Sequence, residues 1–553
     1  MINANGPRTG RPAIHAARGM VSSPHYLASA SGQDALRRGG SAVDAAIAIN
    51  ATLCVVYPHM AGLGGDAFWL IAGGSAKGVE AIEASGPAAR LATRDFYRGR
   101  GHAEQIPMRG PLAALTAPGA VDGWRLAHER HGKLPWKDLF ADAIAYARDG
   151  MAISRSLADW LVTDEAILNN DKDMARIFLP KGRPQRDGEM LVQADLARTF
   201  AFLAEHGPRE GFYEGPIAQE MARSLEAQGS PLRLEDITGY RARWAQPIST
   251  GYRGYEVFQL PPSTQGFAAL QILNLLEGYD VKSWGNDTAA YYHHLVEAIK
   301  VAFADRDEWL SDPAHVDIPL ERLLSRDYAD ERRKLIDPVA ARPFDAIEPG
   351  ISFGSAAKRQ APSGDTVYFC AADSDGLVVS NIQSIYHDFG AAVVAGDTGI
   401  VMQNRGSFFS LDASHPNSLE PGKRTFHTII PAMLMKDGKP ALAYGTMGGE
   451  GQPQTQAALL TRIIDFGFNA QQAIEAPRWL MGRTWGTASR DLALEARMAD
   501  EVKRELRLLG HPVKIVDGWD GTLGHAQAIR IDHENGTYEG GADPRGDGIA
   551  LGF

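Results

Sequence analysis

A chain of 553 residues exceeds one ordinary hydrophobic core, so length alone predicts two or more domains. A hydrophobic share of 44% and a charged share of 22% are those of a soluble globular protein. The formal charge of −11 leaves no basic excess to neutralise nucleic-acid phosphates, which excludes a nucleic-acid partner. The only cysteines, Cys54 and Cys370, both lie in apolar surroundings, so no disulfide framework is expected and a reducing compartment fits. No apolar run reaches the length of a membrane span, and the N-terminus lacks the apolar stretch of a secretory signal. A cytoplasmic protein with no membrane partner is the expectation.

The Gly/Pro/Arg-rich first twenty residues read as a loose arm. Ser22 and Ser23 before Pro24 predict a capped helix reaching Arg38 and stopped by Gly39-Gly40. Ser41 then caps AVDAAIAINATLCVVY, a helix apolar on nearly every face and therefore expected between layers. PHMAGLGGD leads into the strand AFWLIA; its Gly62-Leu63-Gly64-Gly65 matches neither nucleotide-binding glycine pattern and reads as a tight turn. From Thr93 to about Leu335 helical spacing dominates, broken by the β interlude STGYRGYEVFQLPPSTQG. TAAYYHHLVEAIKVAFADRDEWL reads as a long amphipathic helix, on which adjacent His293 and His294 face different ways and cannot share a metal. No His/Cys/Asp cluster has ligand spacing, so neither a metal nor a cofactor is expected. Residues 345–365, rich in Pro, Gly, Ser and Lys, read as a linker or processed segment.

After Thr366 the pattern changes to strands. TVYFCAA turns at Asp373-Ser374-Asp375-Gly376 into LVVSNIQSI; GIVMQN follows, then HTIIPAMLM with PALAYGTM, and AQAIRIDH with TYEG. QTQAALLTRIIDFG and ADEVKRELRLLG read as helices. Helices, two sets of strands and helices again predict a layered α/β sandwich.

Two features could carry chemistry. Thr366 is either the first residue of a strand or, once the bond after Asp365 is cut, an N-terminal nucleophile whose own α-amine is the general base. Such an amine has a reference pKa of about 7.7–8.0, suited to moving a proton at neutral pH. Gly448-Gly449, between a strand and a helix, is either an ordinary turn or a source of backbone N–H groups for a developing oxyanion. Each feature alone is common.

A longer pattern joins them. GMVSSPHYLASASGQDALRRGGSAVDAAIA, PHMAGLGGDAFWLI, PPSTQG, HHLVEAIKVAFADR and the terminal GGADPRGDGIALGF make the chain similar, nearly end to end, to the γ-glutamyltransferase family of N-terminal nucleophile hydrolases. The resemblance implies a four-layer αββα sandwich of the α/β (α+β) class. It implies autocleavage between Asp365 and Thr366, giving fragments 1–365 and 366–553 that form one intertwined heterodimer; whether two heterodimers pair stays open. It implies Thr366 as nucleophile, Ser384 as a supporting hydroxyl, and Gly448 and Gly449 as the oxyanion pair.

The chain also departs from the family pattern. The usual Thr-Thr-His is Thr366-Val367-Tyr368, and the family's carboxylate-binding arginine falls near Ser85 of IEASGPAAR, with Arg90 a few residues on. The N-Q-x-D-D-F-type motif that holds a substrate ammonium reads Asn404-Arg405-Gly406-Ser407-Phe408-Phe409, and the family's paired serines are His427-Thr428. The loop from Ser410 to His427 is short beside the lid-bearing members. An arginine cannot accept hydrogen bonds from an ammonium but grips a carboxylate in bidentate fashion. The expected activity is therefore cleavage of a small carboxylate-bearing amide, oxamate-like or glutaryl-like, with Arg405, Asn404, His427 and Thr428 binding substrate. The N-R-G-S-x-F and G-T-M-G-G patterns resemble the branch containing oxamate amidohydrolase and certain cephalosporin acylases. The alternatives are a glutathione hydrolase or γ-glutamyl transferase with a remodelled clamp, and an uncleaved inactive scaffold.

Overall fold

Alternation along TVYFCAA sets the architecture. In the computed structural model, which describes residues 10–354, 365–482 and 489–553, this strand has two buried faces. Val367, Phe369 and Ala371 face one apolar cluster, whereas Tyr368, Cys370 and Ala372 face another. A strand covered on both sides belongs in the middle of a layered fold.

The strands of the two large sheets are β1 (Ile14–Ala16), β2 (Met20–Ser23), β3 (Asp66–Ala72), β4 (Val79–Ala84), β5 (Arg243–Ala245), β6 (Ile248–Tyr252), β7 (Tyr255–Gln259), β8 (Asp365–Ala372), β9 (Val378–Tyr386), β10 (Ala432–Lys436), β11 (Lys439–Thr446), β12 (Ala526–Asp532), β13 (Thr537–Ala542) and β14 (Ile549–Gly552). They form two seven-stranded antiparallel sheets, ordered β1-β13-β12-β11-β10-β7-β6 and β14-β2-β8-β9-β3-β4-β5. Side chains such as Phe68, Tyr368, Ile382, Met433 and Ile529 fill the space between the sheets. Helices α1 (Tyr26–Arg37), α2 (Ala42–Val56) and α3 (Ala120–His131) cover the outer face of the second sheet; α4 (Gly266–Glu277), α5 (Ala289–Trp309) and α6 (Gly451–Ile464) cover that of the first. The result is the expected αββα sandwich. Length predicted two or more domains; instead, each of the two large sheets contains strands from both sides of residue 365.

Ser41 caps α2 through a reciprocal capping box with Asp44, and every residue of that helix is buried, as its composition required. Other expectations are corrected. Residues 10–23 are no loose arm: the Gly10 and Arg11 amides bond the Glu475 carboxylate, β1 pairs with β13, and β2 is sandwiched between β14 and β8. Ser22 and Ser23 are consequently strand residues, and His25 caps α1 instead, accepting from the Leu27 amide. GIVMQN makes only isolated bridges, Val394 with Val401 and Gly64 with Met402, so it is a loop. Of the predicted linker 345–365, residues 355–364 lie outside the described residues, and Asp365 begins β8.

Helix α5 is not amphipathic but buried nearly all round, and its charges are paired: Lys300 reaches the Glu297 carboxylate at 2.7 Å, and Arg306 reaches Glu450 at 2.9 Å. The expectation of no metal-like cluster is corrected too, since His293, Glu297 and His511 bring ligand atoms within 4.8 Å of one another. His511 is remote in sequence, which hid the cluster. These atoms are already engaged: His293 Nδ1 meets His511 Nε2 at 2.8 Å, and the Glu297 oxygens accept from Lys300 and the Arg342 amide. Among the described residues no helix is long and apolar enough to cross a membrane.

The glycine-rich tail is closed by a buried ion network. Arg545 grips Glu495 with Nε at 2.6 Å and Nη2 at 2.8 Å, and its Nη1 bonds Asp543 at 3.0 Å; Arg478 holds the other Asp543 oxygen at 2.8 Å. Removing one partner of such a group strands the remaining charges. Arg545→Met is expected to lower unfolding stability by about 3–5 kcal/mol, read from urea denaturation; an unchanged midpoint would reject this role.

Candidate active site

The two-residue period of the strands collects polar side chains at one end of the inter-sheet space. Phe68, Leu70 and Ala72 of β3 point between the sheets, so Asp66 does as well. Val378 and Ile382 of β9 put Ser384 on that face, and Tyr368 and Cys370 of β8 do the same for Thr366. Asp66 pairs directly with Ser384 across β3 and β9. Asp365 pairs with Tyr386 and Val367 with Gln383, so Thr366 falls in a register shift opposite Ser384 and Ile385. Thr366, Ser384 and Asp66 are all fully buried.

Arg405 enters this cluster from a short 3₁₀ turn, Arg405–Phe408. Its Nη2 donates to Ser384 Oγ at 3.0 Å and its Nη1 to Thr428 Oγ1 at 3.2 Å. The guanidinium lies 4.4 Å from the centre of the Tyr386 ring, which stacks on Phe408 and through it on Phe426. Arg405 is 0% exposed, yet among the described residues no carboxylate lies within ion-pairing distance of it, and its Nε has no acceptor. Burial pushes its pKa down to about 10, so it stays a cation at neutral pH. Tyr386 carries a φ of 82°, unusual for a residue with a side chain, while its amide donates to Ser384 Oγ at 2.8 Å.

The opposite wall comes from the first sheet. His427 Nδ1 lies 2.8 Å from the Thr425 carbonyl and its Nε2 lies 3.0 Å from Asp66 Oδ2. Burial holds this imidazole below its ordinary pKa, against the bond to Asp66. Gly448 and Gly449 follow β11 with φ of 117° and 49°, a backbone path suited to glycine, and open α6. Among the described residues no acceptor engages either amide. Gln265, the last residue before α4, fastens this loop to its neighbour: Nε2 donates to the Gly449 carbonyl at 3.0 Å and to the Thr428 carbonyl at 2.6 Å. Its Oε1 accepts from Arg306 at 3.1 Å, the arginine that also holds Glu450.

Thr366, Ser384, Arg405, His427 and Thr428 thus gather, fully buried, at one end of the inter-sheet space, with Gly448 and Gly449 tied to them through Gln265. Asn404 is adjacent but differently used: its Nδ2 donates to the Met108 carbonyl and its Oδ1 accepts from the His387 amide. Ser85 sits in an ion cluster, bonding Glu83, which pairs with Arg243 and Arg424. Arg90 is 74% exposed and turns away toward Asp236. Asp66, Gln265 and Arg306 were missed from the sequence. Their signals were faint: an acid between a Gly-Gly turn and a strand, and polar residues flanking apolar helices. The Gly62–Gly65 turn earns its glycines by close packing, because a Cβ on Gly64 would strike the Val401 carbonyl and one on Gly65 the Ser384 carbonyl.

The geometry has counterparts. A family model described as Gamma-glutamyltranspeptidase matches residues 28–553. The chain is 46% identical over 538 residues to the glutathione hydrolase-like YwrD proenzyme of Bacillus subtilis (strain 168), covering 97% of this chain and 98% of that one. It is 43% identical over 541 residues to the oxamate amidohydrolase proenzyme of Klebsiella pneumoniae, with the same coverage. The crystal structure of cephalosporin acylase from Bacillus halodurans superposes with a TM-score of 0.90 at 36% identity, covering 100% of this chain and 98% of that one. With a family model spanning nearly the whole chain and a shared fold, this protein belongs to the gamma-glutamyltranspeptidase family.

Proposed function

We infer that the chain is an autoprocessing amidohydrolase or acylase that cleaves an amide bond in a small carboxylate-bearing substrate. The observation that carries this reading is Arg405: a buried cation with no carboxylate in ion-pairing distance among the described residues, one hydrogen bond from Ser384. A buried charge without a counter-ion is costly, and a substrate carboxylate would supply the missing anion. A substrate ammonium would be repelled, which weighs against γ-glutamyl recognition. The proenzyme names of relatives such as oxamate amidohydrolase support the reaction class and the cleavage step.

In processing, Thr366 Oγ attacks the Asp365 carbonyl carbon, the peptide nitrogen takes up a proton and leaves as the new α-amine, and water hydrolyses the resulting ester. Chains 1–365 and 366–553 result, held together by the shared sheets. In turnover, the Thr366 hydroxyl passes its proton to the α-amine and attacks the substrate carbonyl. The amide bond breaks as the leaving nitrogen receives that proton, and water then releases the acyl group from Thr366. The Gly448 and Gly449 amides stabilise the oxyanion, Ser384 supports the nucleophile, and Arg405 with Thr428 holds the carboxylate. His427 borders the acyl group, and Asn404 braces the turn that carries Arg405. No cofactor has a part in this scheme.

Thr366→Ala should give one band on a denaturing gel where the parent gives two, and sequencing the smaller parent fragment should start at Thr366; any other terminus rejects the nucleophile. Arg405→Gln should raise KM for oxamate or glutaryl anilide about 10- to 100-fold, the loss of a charged hydrogen bond, while cleavage proceeds. An unchanged KM, or preferred turnover of a γ-glutamyl anilide by the parent, would reject the clamp. Gln265→Leu acts elsewhere: by loosening the Gly448–Gly449 loop it should lower kcat by about tenfold with KM nearly constant, and an unaltered kcat would remove Gln265 from the scheme.

A further inference from the structure

Asp66 and His427 are fully buried and in contact, and the proton between them follows from their partners. The Thr425 carbonyl can only accept, so His427 Nδ1 carries a hydrogen. In a neutral ring that leaves Nε2 with a lone pair, facing the Asp66 Oδ2 acceptor at 3.0 Å. Asp66 Oδ1 is already held by the Gly86 amide at 3.0 Å. The contact is favourable only when one proton lies between Oδ2 and Nε2, whichever atom owns it. Without that proton, two lone pairs meet in a buried site.

This pair controls the charge that the acyl pocket offers. Asp66 lies opposite Ser384 across β3 and β9, and His427 precedes Thr428; Arg405 donates to both of those hydroxyls, so its cation sits beside the pair. Phe68 packs edge-on against the His427 ring and Tyr386 lies under Arg405, while the Asp66 charge adds to the burial that raises the pKa of Tyr213 and Tyr240 and Arg424 opposes that shift at Tyr240. With the pair protonated, its own net charge is zero and Arg405 leaves the pocket at plus one, matched to a single carboxylate. With the pair deprotonated, Asp66 neutralises Arg405 and repels the incoming anion.

We propose that Asp66 and His427 form a proton-sharing pair that sets acyl-group selectivity, so that a carboxylate binds beside Arg405 together with one proton. The inference rests on the reading of Arg405 as the carboxylate clamp. Both are positioning residues, acting through the charge of the pocket. By linkage, the bound anion favours the shared proton, and loss of that proton weakens the anion. Affinity is therefore full where the free site already holds the proton. It falls by up to about tenfold per pH unit where only the complex holds it, and levels off where neither does.

The test is calorimetric titration of the autocleaved enzyme with oxalate, a carboxylate it cannot hydrolyse, in buffers of different ionisation enthalpy from about pH 6 to 9. Proton uptake rising toward about one per oxalate is expected in the parent. Asp66→Asn keeps a neutral donor toward Nε2 at every pH, so it should bind oxalate with little uptake and a flat pH profile. Uptake that persists in Asp66→Asn belongs to the Thr366 α-amine and overturns the inference, as does a parent that takes up no proton. If Asp66→Asn fails to fold and cleave, the parent's pH profile with oxamide, which has no carboxylate, replaces it: inhibition by oxamide should be flat where oxalate affinity falls, and parallel profiles overturn the inference. Arg405→Gln separates the two claims. Oxalate bound equally well by that variant defeats the clamp itself, whereas lost binding with a proton-free parent defeats only the pair. A parent that binds no oxalate overturns both.

Discussion

The space between the two sheets imposes the central constraint on this molecule. Along most of its length it must be apolar, because fourteen strands meet there and only packed hydrocarbon holds two sheets face to face. At one end the same inward-facing positions change to Asp66, Ser384 and Thr366, supplied by adjacent strands of one sheet. Polar groups can be buried there because they satisfy one another and the loops arriving from the other sheet. The apolar part fixes the position of the polar part. A one-residue slip of β8 against β9 would turn Thr366 from the inner face to the helix face.

Two elements that precede residue 365 in the chain reach into that end. Gln265 and Arg306, on α4's entry and on α5, hold the carbonyls of Thr428 and Gly449 and the side chain of Glu450. The glycine pair therefore depends on residues almost two hundred positions earlier. The proposed cut at residue 365 would not loosen this arrangement, because each sheet already contains strands from both sides of it.

In the proposed scheme, Arg405 changes substrate choice while the framework stays. In the Asn404–Phe409 segment the positions expected to be acidic are Ser407 and Phe408, and Phe408 stacks between Tyr386 and Phe426. Aromatic faces and neutral hydroxyls surround the guanidinium where a carboxylate could have been. Arg405 is left as net positive charge in a buried site, with Asp66 the carboxylate that acts on it among the described residues. In the proposed scheme, recognition follows from that charge balance.

The sequence by itself determined the layered α/β class, the buried helix Ala42–Val56, the hairpin at Asp373–Gly376 and the grouping of Thr366 with Ser384, Arg405 and Gly448-Gly449. These are encoded locally, in alternation, capping and turn residues, or in motifs long enough to recognise. It misjudged residues 10–23 because a short edge segment of Gly, Pro and Arg carries no period of its own and becomes strand only when β8, β13 and β14 offer partners. It misread the Ala289–Trp309 helix because Glu297, Lys300 and Arg306 look like a solvent face until their partners are known. Tertiary structure alone decided that Arg90 faces solvent, that Arg405 has no carboxylate in ion-pairing distance among the described residues, and that Asp66 meets His427. Each of those facts concerns residues far apart in the chain, and the charge of a buried site depends on all the groups that fold brings within a few ångströms.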